Sequence, residues 1–336
     1  MRYRQFGRTG MQVSALALGG MLFGTTTPDA EAQAIIDAAL EAGITLIDTA
    51  NVYGQGQSET VIGNALRQSG QRSSMVLSTK VWGRMRDTDP NASGLHRRHI
   101  REQCEASLRR LQTDYLDIYY VHRRMSTIPI DETLQALEDL IRAGKILYSG
   151  CSAFPAWSVV EALWVAKEYG LHRFVCEQPP YHLLDRSIER ELMPMAQTYG
   201  LALMTWSPLA GGVLTGKYQD GVPSATRIQP GNRWADRHLH PQVSDAVAAL
   251  EQLARDKDCT LSQLAVAWCL AQPGISNVIL GARTLGQLVE QLGALEVTLS
   301  ADDLARIDAV CPPGTTLVSY YHEDATADFR PAQYHW

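Results

Sequence analysis

Apolar residues fall into two rhythms along the chain. Short runs rich in β-branched and aromatic residues alternate with longer stretches of helical period, an alternation that predicts βα units around a parallel sheet. Eight runs read as strands: ALALG (15–19), ITLIDT (44–49), MVLSTK (75–80), YLDIYYVH (115–122), KILYSGCS (145–152), FVCEQ (174–178), LALMTWS (201–207) and SNVILGA (276–282). Between them lie amphipathic helices. In PDAEAQAIIDAALEAG, Pro28 and Asp29 open the helix and Gly43 follows its end. DETLQALEDLIRAG (131–144) and SDAVAALEQLARDKD (244–258) read the same way. Eight strands with eight crossovers predict an α/β fold, a (β/α)8 TIM barrel rather than an open doubly wound sheet. No GxGxxG follows any strand, so the Rossmann signal is missing.

Residues 1–14 read as two short strands joined at Gly7–Gly10, a hairpin placed to plug the bottom of the barrel. Segment 208–243, rich in Gly, Pro and Arg, reads as a long inserted loop before the last helices, and loops of that length usually carry function or are disordered. The tail from 313 to 336 is unusually aromatic for a solvated end, which suggests packing over the barrel mouth or against another subunit. No linker or shift of composition divides the chain, so one domain over 1–336 is expected.

Composition narrows the function. Hydrophobic residues make up 45% and charged residues 20%, and no apolar run reaches the roughly 18–20 residues of a membrane-spanning helix. The N-terminus lacks an apolar core followed by a small-residue cleavage site, so a soluble, cytoplasmic protein is expected. A net charge of −6 and a pI near 5.9 speak against nucleic-acid and anionic-membrane surfaces. The six cysteines form no CxxC pair and read as buried thiols. Pairs such as His96/His99 and His238/His240 have no zinc-motif neighbours and read as solvated loop histidines.

Barrels of this type do their chemistry at the C-terminal ends of the strands, where Asp48, Lys80 and His122 close three runs and Tyr53 follows in the next loop. A buried lysine beside an aspartate keeps its charge, and a nearby cation favours tyrosinate, so Lys80 is expected to lower the pKa of Tyr53. His122 at the neighbouring strand end can donate a hydrogen bond to a carbonyl oxygen. The four together suit protonation of an oxygen that gains negative charge as hydride arrives. Taken singly, Asp48 reads equally as a loop cap, Tyr53 as core and Lys80 as an exposed strand end.

Together, D-T-A-x-x-Y-G, S-T-K and V-H resemble the aldo-keto reductase superfamily. MTWSPLAGGVLTGKY (204–218) and VILGARTLGQLVEQLGAL (278–295) are similar to the cofactor segments of the subgroup that includes potassium-channel β subunits and bacterial reductases. The resemblance implies an NADP-dependent oxidoreductase that reduces an aldehyde or ketone, with NADPH/NADP+ extended across the barrel mouth. It places Trp206 on the nicotinamide ring, and Ser152 and Gln178 on its carboxamide, with Gly20 and Met21 nearby. Ser207, Pro208, Leu209, Gly211 and Lys217 would line the pyrophosphate, and Arg227 in the covering loop would close over it. Gly281, Arg283, Thr284, Gln287, Glu290 and Gln291 would hold the adenosine half, at a helix start suited to phosphate. Arg283 offers the bidentate donors that a 2′-phosphate needs. Ala153 stands where many relatives have Asn, Gln291 where many have Asn, and HRRM replaces the frequent H-R-x-D.

Met21, Phe23 and Trp82 are expected to form an apolar wall for a small-molecule carbonyl substrate. Arg84, Arg86, Arg123 and Arg124 near the mouth suggest a sugar-like or anionic compound. Two other readings are open: a cofactor-sensing partner protein of the channel β-subunit type, which lacks here any dedicated inactivation segment, and a barrel aldolase with Lys80 as Schiff-base lysine.

Overall fold

The structure, a computed structural model, describes residues 1–224, 226–229, 231 and 233–321. Strands β1 (Tyr3–Gln5) and β2 (Gln12–Ser14) pair antiparallel as a hairpin. Eight strands follow: β3 (Leu16–Gly19), β4 (Leu46–Asp48), β5 (Val76–Val81), β6 (Leu116–Val121), β7 (Ile146–Ser152), β8 (Cys176–Gln178), β9 (Ala202–Thr205) and β10 (Ile275–Gly281). Each lies parallel to the next, and β10 pairs with β3 in the register Val278 to Leu16 and Gly281 to Gly19, so the sheet closes into a barrel. All eight runs identified in the sequence are barrel strands, with ends shifted by a few residues.

The helices are α1 (Asp29–Glu41), α2 (Gln57–Ser69), α3 (Arg97–Leu111), α4 (Ile130–Arg142), α5 (Ala156–Glu168), α6 (Leu192–Tyr199), α7 (Arg233–His238), α8 (Pro241–Asp256), α9 (Leu261–Ala271), α10 (Leu285–Leu292) and α11 (Ala301–Val310). Segment 208–243 includes a tight 3-10 turn (Ala210–Thr215), α7 and the start of α8. The aromatic tail from residue 322 onward lies outside the described residues. Among the described residues no helix is long and apolar enough to cross a membrane.

The two-residue period of a strand sorts its side chains between two cores. Leu16, Leu18, Ile47, Leu77, Tyr119 and Val121 point outward into the layer between sheet and helices, whereas Ala17, Leu46, Val76, Ile118 and Tyr120 point into the barrel. The hairpin completes the inner core. Phe6 and Val13 are fully buried against Ala17, Leu46, Val76 and Ala202, which seals the N-terminal end of the barrel. Gly7, with φ +57°, makes this approach: a Cβ there would lie 2.5 Å from Ala202 N. The plug expected from the sequence is therefore present. Five of the six cysteines are buried and all six are free thiols.

Phe6→Ala removes the plug's aromatic ring from a site with no exposure, so it is expected to destabilise the fold by about 3–5 kcal/mol, read as a lower urea midpoint at unchanged m-value.

Candidate active site

The inward rows of the barrel strands change character at their C-terminal ends. Leu46 is followed two residues on by Asp48, Val76 by Ser78 and Lys80, Ile118 and Tyr120 by His122, Cys176 by Gln178, and Ala202 and Met204 by Trp206. The same alternation that fills the barrel with apolar side chains thus lifts these polar ones into its mouth.

Lys80 is fully buried and forms an ion pair with Asp48 Oδ2. Its Nζ also donates to Thr49 O at 2.8 Å and to the Tyr53 hydroxyl at 3.5 Å. Asp48 Oδ1 accepts from Ser78 Oγ at 2.6 Å and from Gln178 Nε2 at 3.0 Å. The Tyr53 and His122 rings meet edge to face with centroids 5.6 Å apart. The four residues singled out in the sequence are therefore brought together.

Their electrostatics differ in one respect from the sequence reading. Burial raises the Tyr53 phenol above its usual pKa, and although Lys80 pulls it down as expected, Asp48 pushes it back up and the net direction is upward. The lysine's charge is already largely matched by its carboxylate. For Lys80, burial alone would lower the pKa, but Asp48 and Tyr53 outweigh it and hold the ammonium charged. Burial, with Lys80 and Arg123 beside it, holds His122 well below the ordinary histidine value, so the ring is neutral and carries one N–H. His122 Nδ1 is buried without a partner.

Beside this group stands a wall built on Gln178. Its carbonyl accepts from Ser152 Oγ (2.8 Å), Ala153 N (3.2 Å) and Trp206 Nε1 (3.0 Å), which fixes the half-buried indole at the mouth. Gly20 N donates to Asp48 O at 2.8 Å, and exposed Met21 follows it. Beyond Trp206 the backbone takes left-handed conformations at Ser207 and, after Pro208 and Leu209, at Ala210, Gly211 and Gly212, with Ser207 Oγ accepting from Gly211 N. Trp206, Ser207, Gly211 and Arg227 line one cleft with His182, His238 and Arg237. Exposed Lys217 lies against Gly212 at the next turn.

At the far side, Gly281 ends β10 and Thr284 caps α10, accepting from Gln287 N, while Gln287 Oε1 accepts from Arg283 N. Gln291 Nε2 donates to Gly281 O at 3.1 Å, and its Oε1 is buried without a partner. Glu290 accepts from Thr260 Oγ1 and is engaged with the cap of α9. The Leu285 N–H at the start of α10 is already taken by Glu31 Oε1 at 2.6 Å.

The donor set fits an extended dinucleotide. An aromatic platform stands at one end, and Lys217 and Arg227 by a glycine turn occupy the middle. Open space over Gly281 and Gly286, where an added Cβ would meet nothing within 4 Å, marks the other end. Ser152 donates its hydroxyl to Gln178 O and Gln178 Nε2 donates to Asp48 Oδ1, which leaves the Ser152 hydroxyl and the Gln178 amide oxygen able to accept.

The expected substrate residues separate. Trp82 and Arg123 remain at the mouth, where the guanidinium sits 5.6 Å from the Trp82 ring centroid and 5.7 Å from that of Tyr320. Tyr320 in turn meets the Trp206 ring edge-on at 5.1 Å, so the described start of the aromatic tail does pack over the mouth. Phe23 is instead fully buried in the helix-facing core, where its apolar ring is covered on all sides and can form no wall. Exposed Arg86 pairs with Asp89 (3.1 Å) and Glu102 (3.2 Å) in a groove along α3, and Arg84 donates to Asp89 O. Arg124 is buried over Trp157, with Nε donating to Ser158 Oγ at 2.9 Å. Two of the histidines taken as solvated are buried: His99 within α3 and His238 at the end of α7.

A closed parallel barrel thus carries an Asp–Lys–Tyr–His group at its C-terminal mouth, with a buried cation beside a phenol. The chain matches the model of the aldo/keto reductase family over residues 15–311 and belongs to that family, whose members act on small carbonyl compounds. It is also 40% identical over 319 residues to a probable voltage-gated potassium channel subunit beta of Oryza sativa subsp. japonica, covering 92% of this chain and 96% of that protein.

Ser78, His182, Arg237 and Tyr320 were not singled out in the sequence. Ser78 was accessible, because it shares the inward row of Lys80; His182 and Tyr320 reach the mouth from loops that periodicity does not place, and Arg237 from the short helix α7. Besides His122, burial lowers His99 to about 4 and His182 to about 3. These rings stay neutral in the folded chain and charge in the unfolded one as pH falls below about 6.5. Stability is thus complete above that pH and is expected to fall below it by about 1.4 kcal/mol per pH unit for each ring. Urea titrations from pH 7 to 4.5 measure the slope, which His182→Gln should reduce.

Proposed function

We propose that the protein is an NADPH-dependent reductase that converts an aldehyde or ketone to an alcohol, with Tyr53 as proton donor. One observation carries this reading: Lys80 Nζ, held by Asp48 and Thr49 O, lies 3.5 Å from the Tyr53 hydroxyl, with the neutral His122 ring packed against Tyr53. A carbonyl oxygen placed between Tyr53 and His122 would receive two hydrogen bonds, which strengthen as charge develops on it. When bound, the nicotinamide supplies the hydride. Trp206 carries the ring, Ser152 and Gln178 turn its carboxamide, and Ser207, Gly211, Lys217 and Arg227 hold the pyrophosphate. Arg283, Thr284 and Gln287 at the start of α10 suit the adenosine half, and the guanidinium favours a 2′-phosphate. For the substrate, Arg123 between Trp82 and Tyr320 is a cation at the mouth that would meet a carboxylate or phosphate; Arg86 and Arg124 are engaged elsewhere. Cytoplasmic location belongs to the same reading.

The likeness to a protein named as a channel β subunit supports a second reading, in which the bound nicotinamide is sensed and a partner protein responds. Tight NADPH binding without turnover over a broad carbonyl panel would favour it.

Tyr53→Phe is expected to reduce kcat for 4-nitrobenzaldehyde by about 100- to 10,000-fold while leaving NADPH quenching of tryptophan fluorescence in place. Because the phenol's pKa is raised, the wild-type reduction rate should be level through neutral pH and fall only in the alkaline range. Alcohol oxidation, which needs tyrosinate, should rise there. Lys80→Met removes the downward pull and should move both limbs to higher pH. Arg123→Ala should raise KM for a carboxylate- or phosphate-bearing aldehyde about 10-fold more than for its neutral analogue, whereas Arg86→Ala should leave that ratio unchanged. Equal effects of the two changes would remove Arg123 from substrate binding.

A further inference from the structure

Tyr53 stands at the head of a backbone stretch that is unfavourable by itself. Gly54, Gln55 and Gly56 follow it with φ of +57°, +54° and +93°, a run of left-handed residues that includes one with a side chain. Such a run persists only where surrounding structure determines it, and here Thr25 packs against Gly54 while Arg110 of α3 packs against Gly56. Gln103, Ser107 and Arg110, at i, i+4 and i+7, make a polar stripe on α3 beside the apolar face of Ile100, Cys104, Leu108 and Leu111 that packs on the core.

Gln103 and Arg110 touch the loop that carries Tyr53, and Ser107 holds Arg110. Gln103 Oε1 accepts from Asn51 Nδ2 at 3.1 Å, and Asn51 N donates to Lys80 O at 3.2 Å. Arg110 lies under Gly56, where a Cβ would meet its Cδ and Nε at 2.6 Å, so the loop can rest on the guanidinium only with glycine there. Arg110 Nε donates to Glu59 Oε2 at 2.6 Å and its Nη2 to Ser107 Oγ at 3.4 Å. Glu59 has no exposure, and its other oxygen accepts from Thr79 Oγ1 at 2.6 Å. Thr79 points outward on β5 one residue before Lys80 points inward. The same buried carboxylate therefore holds α2 just beyond the Tyr53 loop, α3, and the strand presenting Lys80.

We propose that Gln103, Arg110 and Glu59 form a positioning clamp that sets the separation of Tyr53 and Lys80. The inference rests on Tyr53 being the proton donor. At 3.5 Å that contact sits at the limit of a hydrogen bond, so a small shift of the loop breaks it. Turnover then falls although nothing that touches the cofactor has changed.

The test compares Gln103→Leu, Glu59→Gln and Arg110→Lys with the wild type and with Tyr53→Phe. Measured are kcat and KM for 4-nitrobenzaldehyde, NADPH affinity by tryptophan quenching, the pH profile of kcat and the thermal midpoint. Gln103→Leu and Glu59→Gln are expected to lower kcat about 10- to 100-fold at unchanged NADPH affinity, and to move the alkaline limb to higher pH because Lys80 no longer reaches the phenol. Arg110→Lys keeps a cation and should lower kcat less than the other two. Should Glu59→Gln fail to fold, Gln103→Leu, which leaves no buried charge, carries the test alone. Wild-type kcat and an unmoved alkaline limb in these variants, beside an inactive Tyr53→Phe, would overturn the clamp while leaving the proton donor in place. Kcat and NADPH affinity falling together with the folded fraction would also overturn it, since the residues would then only hold the fold. Turnover surviving in Tyr53→Phe would remove the donor and the clamp with it.

Discussion

A single ammonium group organises the mouth of this barrel. Lys80 has no exposure to water, and an unmatched charge there would carry a desolvation penalty of several kcal/mol. Asp48 and the Thr49 carbonyl offset it, and Asp48 is itself oriented by Ser78 and Gln178. Gln178 then gathers Ser152, Ala153 and Trp206 on its carbonyl. From one buried cation a line of hydrogen bonds through Asp48 and Gln178 reaches the Trp206 indole, so the ion pair and the indole share one frame. Such a frame is costly to satisfy in part, which accounts for the density of polar groups at an otherwise apolar strand end.

Much of this was legible in the amino-acid order because a barrel strand writes its two faces in alternate letters. The eight strands, the plugging hairpin and the placement of Asp48, Lys80 and His122 all follow from where apolar runs stop and which parity the next polar residue has. The same parity identifies Ser78, which a reading focused on S-T-K as a motif passed over. Glu59 and Arg110 were harder to see. They act from the facing sides of α2 and α3, and only three-dimensional contact shows that an arginine in an arginine-rich helix supports a glycine some fifty positions earlier.

Where the sequence reading went astray, it judged a side chain by its neighbours in the chain instead of by what covers it. Phe23 lies in a glycine-rich loop yet is covered completely. Arg86 and Arg124 sit in loops at the rim, but nearby carboxylates and a tryptophan face take up their guanidinium groups. The Tyr53 pKa moved opposite to expectation for the same reason: the cation was counted, while the burial that accompanies it and the carboxylate that matches it were not.

The seam that closes the barrel joins β10 to β3, residue 278 to residue 16. On the ribosome the first barrel strand therefore emerges with one edge unpaired and keeps it until nearly the whole chain has been made. An exposed strand edge is a template for pairing with other chains, so that edge stays open to wrong partners until β10 covers it. Completeness of synthesis, rather than the integrity of any one segment, decides whether the mouth exists at all.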